Sequence, residues 1–174
     1  MRRRTFLKAA GGVAALLGSG GGFGYWLLFG ARAAARGCAV LSASELHAAR
    51  AIAEAFFPPG AGLPLDGRRA RLAEKLDAHL ATLPARERRL VRAGIRAIEY
   101  ACVPFHGSRF SRLSLDERIG ALRTEDESDS YLRHTALRGM KGLFGLLYFE
   151  IDEVRLGLGW TLGCTPSRPT SVPG

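Results

Sequence analysis

Apolar residues recur at helical spacing along most of this chain, and no polar–apolar alternation of strand length appears. Ser42-x-x-Glu45 is a capping box, the pairing of hydroxyl and carboxylate that satisfies the free N–H groups at a helix start. Behind it Leu46, Ala49, Ala53 and Phe56, with Ile52 beside them, trace one apolar face, and Phe57-Pro58-Pro59-Gly60 ends the helix. Ala61 to Leu65 reads as loop. Asp66 is placed to cap a second helix carrying Leu72, Leu76, Leu80 and Leu83, and Pro84 marks a third, with Val91, Ile95, Ile98 and Cys102 along its face. Val103-Pro104 ends that helix, and Phe105 to Arg109 is expected to form a loop around Gly107. Ser114-x-x-Glu117 is a second capping box, opening a short helix with Ile119 and Leu122. Glu125-Asp126-Glu127 with Asp129 reads as a solvated turn. Ser128 or Ser130 then caps a long helix that points Leu132, Ala136, Met140, Leu143 and Leu147 inward.

The pattern predicts an all-α fold: a single domain of about five helices over residues 41–162, with an extended Pro-rich tail over 163–174. Phe110, Leu113 and Leu115 are expected to be buried, seating the short helix against the long one. Composition agrees, since 47% hydrophobic and 24% charged residues in 174 supply one packed core and exclude a large multidomain enzyme. The formal charge of +9 suggests nucleic acid until the charges are located. Residues 1–44 hold six basic residues and no acidic one, and loss of the segment through Ala33 leaves 20 basic against 16 acidic residues. At +4 the remainder is only mildly basic, which argues against nucleic acid as a partner.

The N-terminus explains the excess. A basic head, Arg2-Arg3-Arg4-Thr5-Phe6-Leu7-Lys8, precedes 23 residues without charge from Ala9 to Ala31, and Ala31-Arg32-Ala33-Ala34-Ala35 follows with small residues of the kind signal peptidase cuts. The string Arg3-Arg4-Thr5-Phe6-Leu7-Lys8 closely resembles the bacterial twin-arginine signal, and the many glycines after it dilute the apolar stretch as such signals do. Residues 1–35 therefore read as a twin-arginine signal peptide or a signal anchor, since ~20 apolar residues also suffice to span a bilayer. Arg3, Arg4, Phe6, Leu7 and Lys8 are the address. The expected compartment is the periplasm, with membrane attachment open.

Three blocks carry a family resemblance. Leu41-Ser42-x-Ser44-Glu45 leads a helix ending Phe56-Phe57-Pro58. Phe110-Ser111-Arg112-Leu113-Ser114-Leu115-Asp116-Glu117-Arg118 has the form Phe-x-x-Leu-Ser-x-x-Glu-Arg. A long helix then runs through Tyr148 to Glu153-Val154 and Gly157-Leu158-Gly159-Trp160. Behind a twin-arginine signal, this chain resembles the gluconate 2-dehydrogenase subunit 3 family over roughly Leu41 to Trp160. It departs from that pattern after Gly159, where Trp160-Thr161-Leu162 replaces the usual Tyr and Gly or Pro, and in a shorter Phe57-Pro58-Pro59-Gly60 loop. The resemblance implies a small, non-catalytic subunit accompanying an exported flavin-dependent dehydrogenase of the glucose–methanol–choline type. Its large subunit would carry FAD, a cytochrome c subunit with haem c is a candidate third member, and the twin-arginine translocase would read the signal. The other reading is a self-standing, membrane-anchored helical binding protein of the cell envelope.

Candidate chemistry in the chain itself is sparse, with no Cys-x-x-Cys, no Cys-x-x-Cys-His and no His-Glu-x-x-His. Gly157-Leu158-Gly159 lacks the strand before and the helix after that a dinucleotide loop needs. His47, His79, His106 and His134 are dispersed, which suits surface or packing histidines better than ligands. Glu45, Glu54 and Glu99 fall where helix edges or solvent-facing positions are expected. No catalytic, cofactor-binding or metal-binding residue is assigned. Asp66 to Arg96 holds nine basic against four acidic residues, a surface for an acidic partner or anionic membrane headgroups, or simply a solvated face with ion pairs. Of Cys38, Cys102 and Cys164, at least one lacks an intrachain mate. Cys102 continues an apolar face and reads as a buried thiol. Cys38 and Cys164 are the disulfide candidates, either joined to each other or with Cys164 bonded to the large subunit, as an accessory role favours.

Overall fold

A computed structural model describes residues 30–127 and 131–159. The twin-arginine string, Cys164, the Pro-rich tail and the proposed caps Ser128 and Ser130 lie outside the described residues. Within them the regular structure is helical: α1 Ala43–Phe56, α2 Leu72–Thr82, α3 Ala85–Ala101, α4 Val103–His106, α5 Leu115–Asp126, α6 Tyr131–Phe149 and α7 Asp152–Gly157, with a 3-10 turn at Phe110–Arg112. The five expected helices are all present, and two short ones join them. Among the described residues no helix is long and apolar enough to cross a membrane.

Helix α1 is the axis of the packing, touching α2, α3, α5 and the 3-10 turn. Its composition explains that position. Ala48, Ala49, Ala51, Ile52, Ala53 and Ala55 are all buried, and small side chains on several faces let neighbours approach from several sides. Helix α6 closes the other side against α2, α3 and α5 through Leu137, Met140, Phe144, Leu147 and Tyr148. Ala136, expected inward, is exposed. Leu137 and Phe144 take the core face instead, because the larger side chains gain most from burial. Phe57 stacks on Tyr148 with centroids 4.2 Å apart, and the Tyr148 hydroxyl donates to the Leu65 carbonyl at 2.6 Å, pinning the 58–65 loop.

Both capping boxes form. Ser42 with Glu45 and Ser114 with Glu117 exchange the two expected hydrogen bonds. Asp66 behaves differently. Its carboxylate accepts from the Arg68 and Arg69 amides and so caps a separate turn, after which Arg71 adopts φ +50° and α2 begins only at Leu72. Gly67 is required beside it, since a Cβ there would lie 2.1 Å from the Ala53 carbonyl oxygen. Leu83 falls just past α2 as its C-cap. Val103-Pro104 opens a further helical turn rather than ending in a loop, with Pro104 near its start and Gly107 at φ +64° closing it. Glu125 and Asp126 extend α5 instead of forming a turn. Phe110 and Leu113 are buried as expected, and Leu115 is half-buried.

Candidate functional site

The described cysteines, Cys38 and Cys102, are not bonded to one another. Cys102 is buried, and burial, reinforced by Glu125 and Glu99, pushes its thiol up to about 11. Burial and then Asp77 also push the half-buried Cys38 thiol up, against the opposing charge of Arg50. Both thiols are thus less acidic than an ordinary cysteine. His47 and His106 are exposed and His79 is half-buried. His134 Nδ1 lies 2.7 Å from the Asp126 carbonyl oxygen. Among the described residues no three His, Cys, Asp or Glu side chains gather closely enough to hold a metal ion.

The polar feature that the fold does assemble is buried, and it involves the carboxylates that the helical periodicity places at edges. Glu45 is 1% exposed and Glu99 7%. Glu45 has the cap geometry to thank for its position: reaching back to the Ser42 amide (2.8 Å) and hydroxyl (2.7 Å) draws its carboxylate in over the start of α1. There it meets α3. Arg92 Nε and Nη2 donate to its two oxygens at 3.0 and 2.9 Å, and Arg96 Nε and Nη2 reach Oε1 at 2.7 and 2.6 Å. Two arginines one helical turn apart thus share one carboxylate, a charge-assisted and doubly forked arrangement. Burial by itself would raise the Glu45 carboxyl; the hydrogen bonds from Arg92 and Ser42 and the Arg92 charge outweigh it and hold the group at about 2.

The same arginines have hydrogens to spare. Arg96 Nη1 donates to the Gly30 carbonyl at 2.8 Å, and Arg92 Nη2 to the Arg32 carbonyl at 3.1 Å. Nearby, buried Asp77 of α2 accepts three successive amides, Ala39 at 2.7 Å, Val40 at 2.9 Å and Leu41 at 2.7 Å. Residues 30–41, the stem that joins the N-terminal segment to α1, are therefore held at both ends by buried charge. Arg92 and Arg96 thus correct the expectation of a solvated or partner-facing basic stretch, for these two face inward. Two further carboxylates act in the same manner: Glu99 accepts from the Ser111 amide and hydroxyl at 3.0 and 2.7 Å, and Glu54 pairs with Arg118 at 2.8 Å.

On the outside, large apolar side chains on α6, on α7 and just after α7 stay in solvent. Leu146, Phe149, Leu156 and Leu158 are 54%, 41%, 71% and 46% exposed. A shallow groove of about 200 Å³ lies between α1, α5 and α6, floored by Phe56, Ile119, Leu122 and Leu137 and rimmed by Arg123 and Lys141. No family model, no curated protein and no solved structure matches this chain.

Proposed function

We propose that this protein is the small, non-catalytic subunit of an exported flavin-dependent dehydrogenase of the glucose–methanol–choline type, which oxidises a sugar, a sugar acid or an alcohol. Its role is to escort the catalytic subunit through the twin-arginine pathway and to stabilise it. The observation that carries the reading is the pairing of Arg3-Arg4-Thr5-Phe6-Leu7-Lys8 with large apolar side chains left exposed on a helical domain. Leu146, Phe149, Leu156 and Leu158 supply the kind of surface that a permanent partner covers. FAD belongs to the large subunit in this reading, and a cytochrome c subunit carrying haem c would accept its electrons.

Affinity purification of the tagged chain from the periplasm tests it. The expected result is a stoichiometric larger protein and flavin absorbance in the eluate, both lost in a Leu156→Glu variant that still folds. A chain that elutes alone, without flavin, refutes the reading and leaves the self-standing, membrane-anchored binding protein in its place.

A further inference from the structure

The stem is bound as a ligand would be. Its amides at 39–41 converge on one buried carboxylate, its carbonyls at Gly30 and Arg32 each receive an arginine, and its own turn is closed by the Ala35 amide on the Leu41 carbonyl at 2.8 Å. Gly37, at φ +83°, provides the reversal inside that turn. The Arg32 side chain adds a contact of 3.3 Å to Ser44 Oγ at the start of α1. The two carbonyl contacts belong to the charge cluster itself, because Arg92 and Arg96 meet Glu45 and the stem with the same guanidinium groups.

The sequence that these contacts hold is Ala31-Arg32-Ala33-Ala34-Ala35, the stretch whose small residues suit signal peptidase. Ala31, Ala33 and Ala34 are exposed, so nothing blocks their side chains. The obstruction is in the backbone. A protease takes its substrate as an extended strand, through main-chain hydrogen bonds to its own cleft. Here the Gly30 and Arg32 carbonyls and the Ala35 amide are already engaged, and the chain just beyond turns back on itself. A twin-arginine substrate presents this region after folding, when the contacts exist.

We infer that the folded domain binds residues 30–41 of its own chain through Asp77, Arg92 and Arg96 and thereby shields the Ala31–Ala35 bonds from signal peptidase, so that the apolar N-terminal segment is retained as a membrane anchor. The inference rests on the export reading but not on the identity of any partner. A readout with purified components separates the two. Full-length protein in mild detergent is incubated with signal peptidase, alongside the Asp77→Asn/Arg92→Lys double variant, and the products are weighed by mass spectrometry. The native chain should stay whole, and the variant should be cut within 31–35 at least ~10-fold faster, with amide exchange at Ala39, Val40 and Leu41 accelerated in parallel. If the double variant unfolds, it still serves as the released stem. Cleavage of the native chain at the variant's rate overturns the inference, and so does a variant that is never cut, since the fold would then have nothing to shield. In exporting cells the periplasm-facing chain should carry its residues before Gly30. A mature N-terminus within 31–36 also overturns it, while a chain left in the cytoplasm overturns the export reading and leaves the purified arm to decide.

Discussion

Replacing Glu45 tests the central arrangement most directly. Its carboxylate is 1% exposed and receives both arginines of α3 together with the Ser42 amide and hydroxyl. Glu45→Gln keeps the length of the side chain but removes the charge, and its amide would turn a donor toward groups that are themselves donors. Removing one partner of a buried ion pair costs about 3–5 kcal/mol, and here the stranded partners are two guanidiniums whose side chains are 16% and 4% exposed. The carboxyl, held at about 2 in the folded chain against 4.5 for an unperturbed glutamate, also makes stability depend on pH. A folded-state value below the unfolded one means that the unfolded chain takes up the proton more readily. The contribution is therefore complete above pH 4.5 and is lost as pH falls toward 2. At about 1.4 kcal/mol for each pH unit, it amounts to something on the order of 3 kcal/mol.

Urea unfolding followed by far-UV circular dichroism at pH 7, 5, 4 and 3 measures both effects. At pH 7 the variant should unfold with about 3–5 kcal/mol less stability than the parent. On acidification the parent should approach the variant, because the parent alone loses the Glu45 contribution. Two curves that stay parallel from pH 7 to 3 would refute the argument: the acid-sensitive group would then lie elsewhere, and Glu45 would be a cap residue with no wider role.

Four other outcomes are expected. Leu113→Ala should cost about 2–5 kcal/mol by calorimetry or denaturant titration, because its side chain is 7% exposed and joins the common core. Gly67→Ala should cost at least ~1–3 kcal/mol, since its Cβ would meet the Ala53 carbonyl at 2.1 Å and backbone cannot swing aside as a side chain can; an unchanged melting temperature would contradict the close approach. Cys102, its thiol pushed up to about 11, should resist alkylation by iodoacetamide at pH 8 in the native protein and react fully in urea, as read by mass spectrometry. Conversion of Arg3 and Arg4 together to Lys should leave the protein and the proposed large subunit in the cytoplasm on fractionation, and a large subunit still found in the periplasm would show that it does not depend on this signal.

What could be read from the sequence and what could not divide along a physical line. Helix starts at Ser42 and Ser114 were legible because a capping box is local, spanning four residues and needing no tertiary partner. The core residues Ile52, Leu72, Leu76 and Leu80 follow from period alone. The inward face of α6 was misplaced at Ala136, since several registers of a glycine-rich helix look equally apolar until a neighbour selects one. The turn at Asp66 escaped for a different reason. Asp66 does cap, but whether the turn continues into a helix depends on Arg71 entering the left-handed region, which residue type does not reveal.

The charge cluster shows where local reading ends. Glu45 belongs to a cap, and Arg92 and Arg96 belong to a basic stretch; each reading is complete with water as the partner. Nothing within either segment says that α1 and α3 will be laid side by side with those residues facing inward. One signal was available. Arg92 and Arg96 are spaced by four on the flank of the face that carries Ile95, so burial of Ile95 carries Arg96 inward with it. An arginine drawn into a core needs a carboxylate, and one beside it with a free edge was the cap glutamate across the helix pair. Once paired, those guanidiniums still had hydrogens to place, and the carbonyls of the incoming stem were the acceptors within reach. The fastening of the stem at Gly30 and Arg32 thus follows from satisfying the hydrogens of Arg96 and Arg92, and any substitution that neutralises Glu45 should loosen that end of the stem as well as the helix pair.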